Sequence, residues 1–143
     1  NFLYRFKFFV SVVVYLNAHC STGRYLDRTK FLSVRNTRFG PSGVNHVMRA
    51  CLQMLIDSAH PGDAANVLNC CTSDSSGSGP SLSADSNGST LMRRLPVFKS
   101  QLDAWKYLAQ VLDRLQTCPH LLAKRYDSCT ACEPAHPSQP LSK

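Results

Sequence analysis

Seven cysteines and five histidines are the residues of this chain best equipped for nucleophilic or metal chemistry. The only Cys-x-x-Cys is Cys129-Thr-Ala-Cys132. A structural zinc ion needs four ligands, usually two such pairs or one pair with two suitably spaced histidines. Here His120 and His136 are poorly spaced, and the adjacent Cys70 and Cys71 are badly placed to share one ion. A redox pair would need a strand before the motif and a helix after it, whereas Cys129 and Cys132 sit in a polar, Pro-rich stretch. The sequence therefore predicts no metal and no cofactor, with Cys129 and Cys132 as solvated tail thiols. His46 and Cys51 lie five residues apart on one expected helix, so they point some 140° apart and cannot pair. The chain has no Gly-x-Ser-x-Gly, the motif that presents a hydrolase serine. Gly40-Pro41-Ser42-Gly43 lacks the Lys-Ser/Thr ending of a phosphate loop. The nine acidic residues are scattered. The expectation is a binding domain, not an enzyme, and no small-molecule substrate.

Charge is the more informative signal. The net charge is +7, and residues 1–50 hold eight basic residues against the single acid Asp27, while the other 93 carry eight of each sign. A field so concentrated attracts polyanions, nucleic acid above all. The stretch Arg24, Arg28, Lys30, Arg35 and Arg38 runs into an expected helix start, with Arg49 further along. Basic side chains neutralise phosphates, and a helix N-terminus adds N–H donors, with Ser42 and Asn45 as further hydrogen-bonding partners. The alternative is a solvated basic surface kept for solubility.

The elements that must position these residues follow from periodicity. Residues 8–17 read as a strand, since Val10 to Tyr15 is β-branched and aromatic. The basic–apolar–polar order of the first 20 residues also resembles a secretory leader, but it lacks a small-x-small cleavage site. Residues 31–35 read as a second strand, and Gly40-Pro41-Ser42-Gly43 as a turn opening a helix. Val44, Val47, Met48, Cys51, Leu52, Leu55, Ile56 and Ala59 then form one apolar helical stripe, ended by His60-Pro61-Gly62. Ala64 to Leu68 adds a further turn. Residues 71–89 are almost purely Ser, Gly, Asp and Asn and read as a disordered insertion. Thr90 to Phe98 reads as a strand broken at Pro96. Ser100 caps a last helix, Gln101 to Gln116, burying Leu102, Trp105, Leu108, Ala109, Leu112 and Leu115. Residues 1–9 read as linker or artefact, 10–122 as the domain, and 123–143 as a disordered tail. An odd cysteine count, with Cys51 on an apolar helix face, favours a reducing compartment.

Three blocks carry a resemblance. Val14-Tyr15-Leu16-Asn17-Ala18-His19-Cys20-Ser21-Thr22-Gly23-Arg24-Tyr25-Leu26 is similar to the opening of the SLED (Scm-like embedded) domain, with Ala18 inserted between Asn17 and His19. Phe39-Gly40-Pro41 and the helix Val44 to Ala59 resemble that family's Gly-Pro-led helix. Leu95-Pro96 and the helix through Trp105 and Leu115 resemble its closing segment. The resemblance implies an α/β fold, with a small sheet packed against two main helices in a single domain. It also implies double-stranded DNA binding, a nuclear location, and a part in repression among Polycomb-group, MBT-repeat chromatin proteins. The DNA-binding residues would be Arg24, Arg28, Lys30, Arg35, Arg38, Arg49, Ser42 and Asn45, with chromatin and other Polycomb-group proteins as partners and no membrane. Where the family has a strand-forming stretch, residues 71–89 are Ser/Gly-rich, so one strand is expected to be lost or displaced. Two alternatives are a protein-interaction module docking an acidic partner and a small secreted cysteine-containing protein.

Overall fold

The computed structural model describes residues 11–72, 77–126, 129 and 132. The segment 1–9 and most of the expected tail, including 133–143, lie outside the described residues.

Strand β1 (Ser11–Leu16) buries Val12, Val14 and Leu16, and its other residues face outward. This is the period-two alternation of a half-buried strand. It forms the centre of a three-stranded antiparallel sheet between β2 (Arg38–Gly43) and β5 (Leu122–Ala123).

Two expectations shift here. The apolar residues at 31–35 do not form a strand. Helix α1 (Arg28–Leu32) takes their place, because Asp27 Oδ1 accepts from the Thr29 and Lys30 N–H groups and starts a helical turn. Its anchor, Phe31, is fully buried. Nor is Gly40-Pro41-Ser42-Gly43 a simple turn. It forms the second half of β2, where the register against β1 breaks between Val12 and Val14. Gly40 sits at φ +96°, and a Cβ there would collide with the Val12 carbonyl oxygen, so glycine alone suits the bulged strand.

Helix α2 (Val44–Asp57) carries the expected stripe, and every residue named for it is buried. Met54 is buried as well, because α2 is packed on two sides. The sheet covers one side, and the hairpin β3 (Ser81–Ser86) and β4 (Ser89–Arg94) covers the other with α3 (Ala64–Thr72). Gln53 of α2 acts as a surrogate strand for the hairpin. Its Nε2 donates to the Ser83 carbonyl at 2.9 Å, and its Oε1 accepts from the Ser83 N–H at 3.0 Å.

The expected disordered insertion at 71–89 is therefore corrected for its described residues. Cys71 and Thr72 close α3, and 81–86 form a strand. Asn87 and Gly88, at φ 51° and 83°, make the two-residue turn into β4, which matches the right-handed twist of the strands. Leu82 and Ala84 face the core, with Ser83 between them on the other face. The strand expected at 90–98 ends at Arg94, before Pro96, whose nitrogen cannot donate to a ladder.

Helix α4 (Gln101–Leu115) starts at the expected cap, with Ser100 Oγ accepting from the Asp103 N–H at 3.1 Å. Its buried face is rotated from the expectation. Ala104, Leu108, Val111, Leu112 and Leu115 are inside, while Leu102 is 62% exposed and Ala109 also faces solvent. Among the described residues the architecture is mixed α/β in one domain: a small antiparallel sheet, a hairpin and four helices.

Candidate nucleic-acid interface

The connection from β1 to β2 is one excursion, residues 17–37, leaving and re-entering the sheet at the same end. It carries Arg24, Arg28, Lys30 and Arg35, and Arg38 opens β2 where it returns. The fold thus gathers five of the expected cations at one end of the sheet. All five are exposed. Arg24 lies over the Tyr25 ring at 5.0 Å. Arg28 Nη1 donates to the Cys20 carbonyl at 2.7 Å, and Lys30 Nζ donates to the Ala59 carbonyl at 3.0 Å. These are contacts to neutral carbonyls. Among the described residues, none of the five forms an ion pair with a carboxylate. Asp27, the one acid of the connection itself, is turned to the α1 amides and to His60, 4.0 Å away, while Asp57 and Asp85 line one pocket with Lys30 without an ion pair to it.

Arg38 is register partner of Tyr15 across β1 and β2, so the two side chains are neighbours on one sheet face. The Tyr15 ring is 6.1 Å from that of Tyr126, which is 65% exposed. The segment 122–126 read from sequence as the end of the domain and the start of a tail. It instead forms β5 and brings Tyr126 against Tyr15, while Lys124 Nζ lies over the Trp105 ring, 5.6 Å from its centroid. The run Lys124-Arg125-Tyr126, two basic residues followed by an aromatic one, was the signal that could have included it.

Three expected residues are not part of this group. Ser42 lies at the far end of β2 from Arg38, roughly 13 Å away at the rise of an extended strand. Arg49 is exposed on α2. Asn45, in the first turn of α2, has its side-chain amide engaged with Phe98, donating to its carbonyl at 3.1 Å and accepting from its N–H at 2.7 Å. The α2 N-cap is Gly43, which has no side chain to satisfy the first amides.

A second cluster adjoins the basic excursion. Cys20, Cys118, Cys129 and Cys132 bring their sulfurs within 4.8 Å of one another. Cys129 and Cys132 are not solvated tail thiols as the sequence suggested, since Cys129 is buried and Cys132 half-buried. Burial pushes the Cys20 thiol well above its ordinary range, and the nearby Cys118 and Cys129 push it further. Burial likewise raises Cys118, although the His120 N–H opposes this. Elsewhere the buried Cys51 and Cys71 are raised chiefly by desolvation. Thiols held in their neutral form make poor nucleophiles.

No curated protein matches the chain. The family model for the SLED domain matches residues 11–125, from the first residue of β1 to two residues past β5. SLED domains occur in chromatin-associated proteins, which gives this domain a chromatin-related role. The match, which covers most of the chain, leads to one assignment: the chain belongs to the SLED domain family.

Proposed function

We propose that this domain is a non-catalytic, double-stranded DNA-binding module of a nuclear, chromatin-associated transcriptional repressor of the Polycomb type. The observation that carries the reading is the set of five exposed cations, Arg24, Arg28, Lys30 and Arg35 on the β1–β2 connection and Arg38 at the start of β2, none ion-paired to a carboxylate among the described residues. Cations left without protein counter-charges are available to displace the counterions condensed on a duplex. Tyr15, the register partner of Arg38, and the exposed Tyr126 against it supply flat aromatic surface next to the positive field. Phosphate contacts of this kind hold and orient the domain on DNA without reading sequence.

Fluorescence anisotropy with a labelled duplex tests the reading. Expected is saturable binding at low salt that weakens steeply as salt rises, with a poly-glutamate competitor far less effective than unlabelled duplex. No duplex binding at low salt would overturn it. Displacement by poly-glutamate as readily as by duplex would favour an acidic protein partner instead.

A further inference from the structure

The four clustered cysteines come from three places in the chain. Cys20 ends the turn after β1, Cys118 follows α4, and Cys129 and Cys132 lie beyond β5. Their convergence is a product of the fold. The hydrogen bonds from the Asn17 N–H to the Leu121 carbonyl and from the Cys118 N–H to the Ser21 carbonyl, both 2.9 Å, clamp the first two loops together. The Asn17 side chain adds a 2.8 Å bond to the His120 carbonyl. The Cys129 N–H donates to His19 Nε2 at 3.0 Å and so ties the later segment to the first.

The sulfur spacing is compatible with a tetrahedral ion site. With zinc–sulfur bonds of about 2.3 Å, sulfurs at the corners of a tetrahedron lie roughly 3.8 Å apart. Here Cys118 Sγ and Cys129 Sγ are 3.6 Å apart, and all four sulfurs fall within 4.8 Å of each other. Backbone amides already point at the sulfurs: Ser21 N–H donates to Cys132 Sγ and His120 N–H to Cys118 Sγ, each at 3.4 Å. Such outer donors stabilise thiolate charge in a metal site. His120 Nδ1 lies 3.5 Å from Cys129 Sγ and 3.8 Å from Cys118 Sγ, within hydrogen-bonding reach of either sulfur. A zinc ion with four thiolates carries a net charge of −2, and Arg28, hydrogen-bonded to the Cys20 carbonyl, stands beside it.

We propose that Cys20, Cys118, Cys129 and Cys132 form a structural zinc site that fastens the segment after β5 to the loops at the basic end of the sheet. The site has four sulfur ligands and no open position, so its role is structural, not catalytic. Binding releases the thiol protons to solvent as the four zinc–sulfur bonds form. It also links the two clusters, because Cys20 and Arg28 share one connection.

The test is the metal content of the purified chain together with cobalt substitution. Expected is about one zinc per chain, removal by a strong chelator, and the visible absorption of tetrahedral, thiolate-ligated cobalt on reconstitution. Cys129→Ser and Cys132→Ser should each lower zinc retention at least tenfold and change the cobalt spectrum. Cys132 is only half-buried, whereas Cys118 and Cys129 belong to the buried core, so the Cys132→Ser variant remains informative if Cys118→Ser or Cys129→Ser fails to fold. Cys70→Ser, away from the cluster, should retain the metal and its spectrum. His120→Ala should keep the four-sulfur charge-transfer band. A chain that purifies without metal and takes up neither zinc nor cobalt would overturn the proposal. So would a disulfide among the four cysteines in the chain purified under reducing conditions, or unchanged metal binding in the Cys129→Ser, Cys132→Ser double variant.

Discussion

Asn45 and Phe98 are joined by two hydrogen bonds, the Asn45 amide donating to the Phe98 carbonyl and accepting from its N–H. This closed pair fixes the start of α2 against the segment that leads into α4. It also removes Asn45 from the surface available to a ligand. Asn45→Ala should destabilise the domain by about 1–3 kcal/mol, because it leaves the Phe98 backbone groups without their partners. Duplex affinity of the folded fraction should stay within twofold. Denaturant unfolding and anisotropy on the same preparation check both halves.

The rotated face of α4 gives a contrast between neighbours. Leu108→Ala opens a cavity beside Leu112 and should destabilise by about 2–5 kcal/mol. Leu102→Ala removes an exposed side chain and should change stability by no more than about 0.5 kcal/mol. Urea midpoints of the two variants decide the matter. Equal losses would mean that the helix faces the core as its sequence pattern alone suggested.

Gly40 is held at a positive φ in the bulged half of β2, with the Val12 carbonyl where a Cβ would go. Gly40→Ala should destabilise by about 1–3 kcal/mol. Gly62→Ala is its control, since nothing lies within 4 Å of a Cβ there. Thermal unfolding of the two variants should separate them clearly.

Tyr107 predicts a pH dependence. Its hydroxyl donates to the Cys71 carbonyl at 2.6 Å. Burial pushes it up to about 12, Cys71 adds to the rise, and Arg114 opposes it. An unfolded tyrosine ionises near 10, so in that range the unfolded state loses its proton first. The stabilisation is complete below about pH 10 and is lost as pH rises toward 12. The raised thiols of Cys51 and Cys71 contribute in the same direction. The Tyr107 part is therefore the difference between wild type and Tyr107→Phe, whose stability should fall less steeply between pH 10 and 12.

What the sequence reveals depends on how local the cause is. The α2 stripe is legible because a 3.6-residue period survives in the sequence whatever packs against it. The α4 cap at Ser100 is legible for the same reason. The α1 turn is not, because Phe31, Leu32 and Val34 look like a strand and only the Asp27 cap argues otherwise. The hairpin was hidden by composition. Its strand is half serine, yet Leu82, Ala84 and the Asn87-Gly88 turn carried the pattern. Gly77 and Gly79 beside it are packed tightly, since a Cβ on either would collide with the Leu95 or Pro96 backbone. The basic end of the sheet was legible as a run of residues, because its cations are close in sequence. The cysteine cluster was not, because Cys20 stands far from Cys118 in the chain and no spacing rule connects them.

In the proposed function, the β1–β2 connection and the start of β2 grip DNA phosphates. The most direct test is the slope of log affinity against log salt for a duplex, compared between the wild-type chain and the Arg35→Ala, Arg38→Ala double variant. Each lost phosphate contact should flatten the slope by roughly 0.9, so the double variant should be shallower by about 2 while remaining folded. An unchanged slope in the folded variant, or no duplex binding by the wild type at low salt, would contradict the claim.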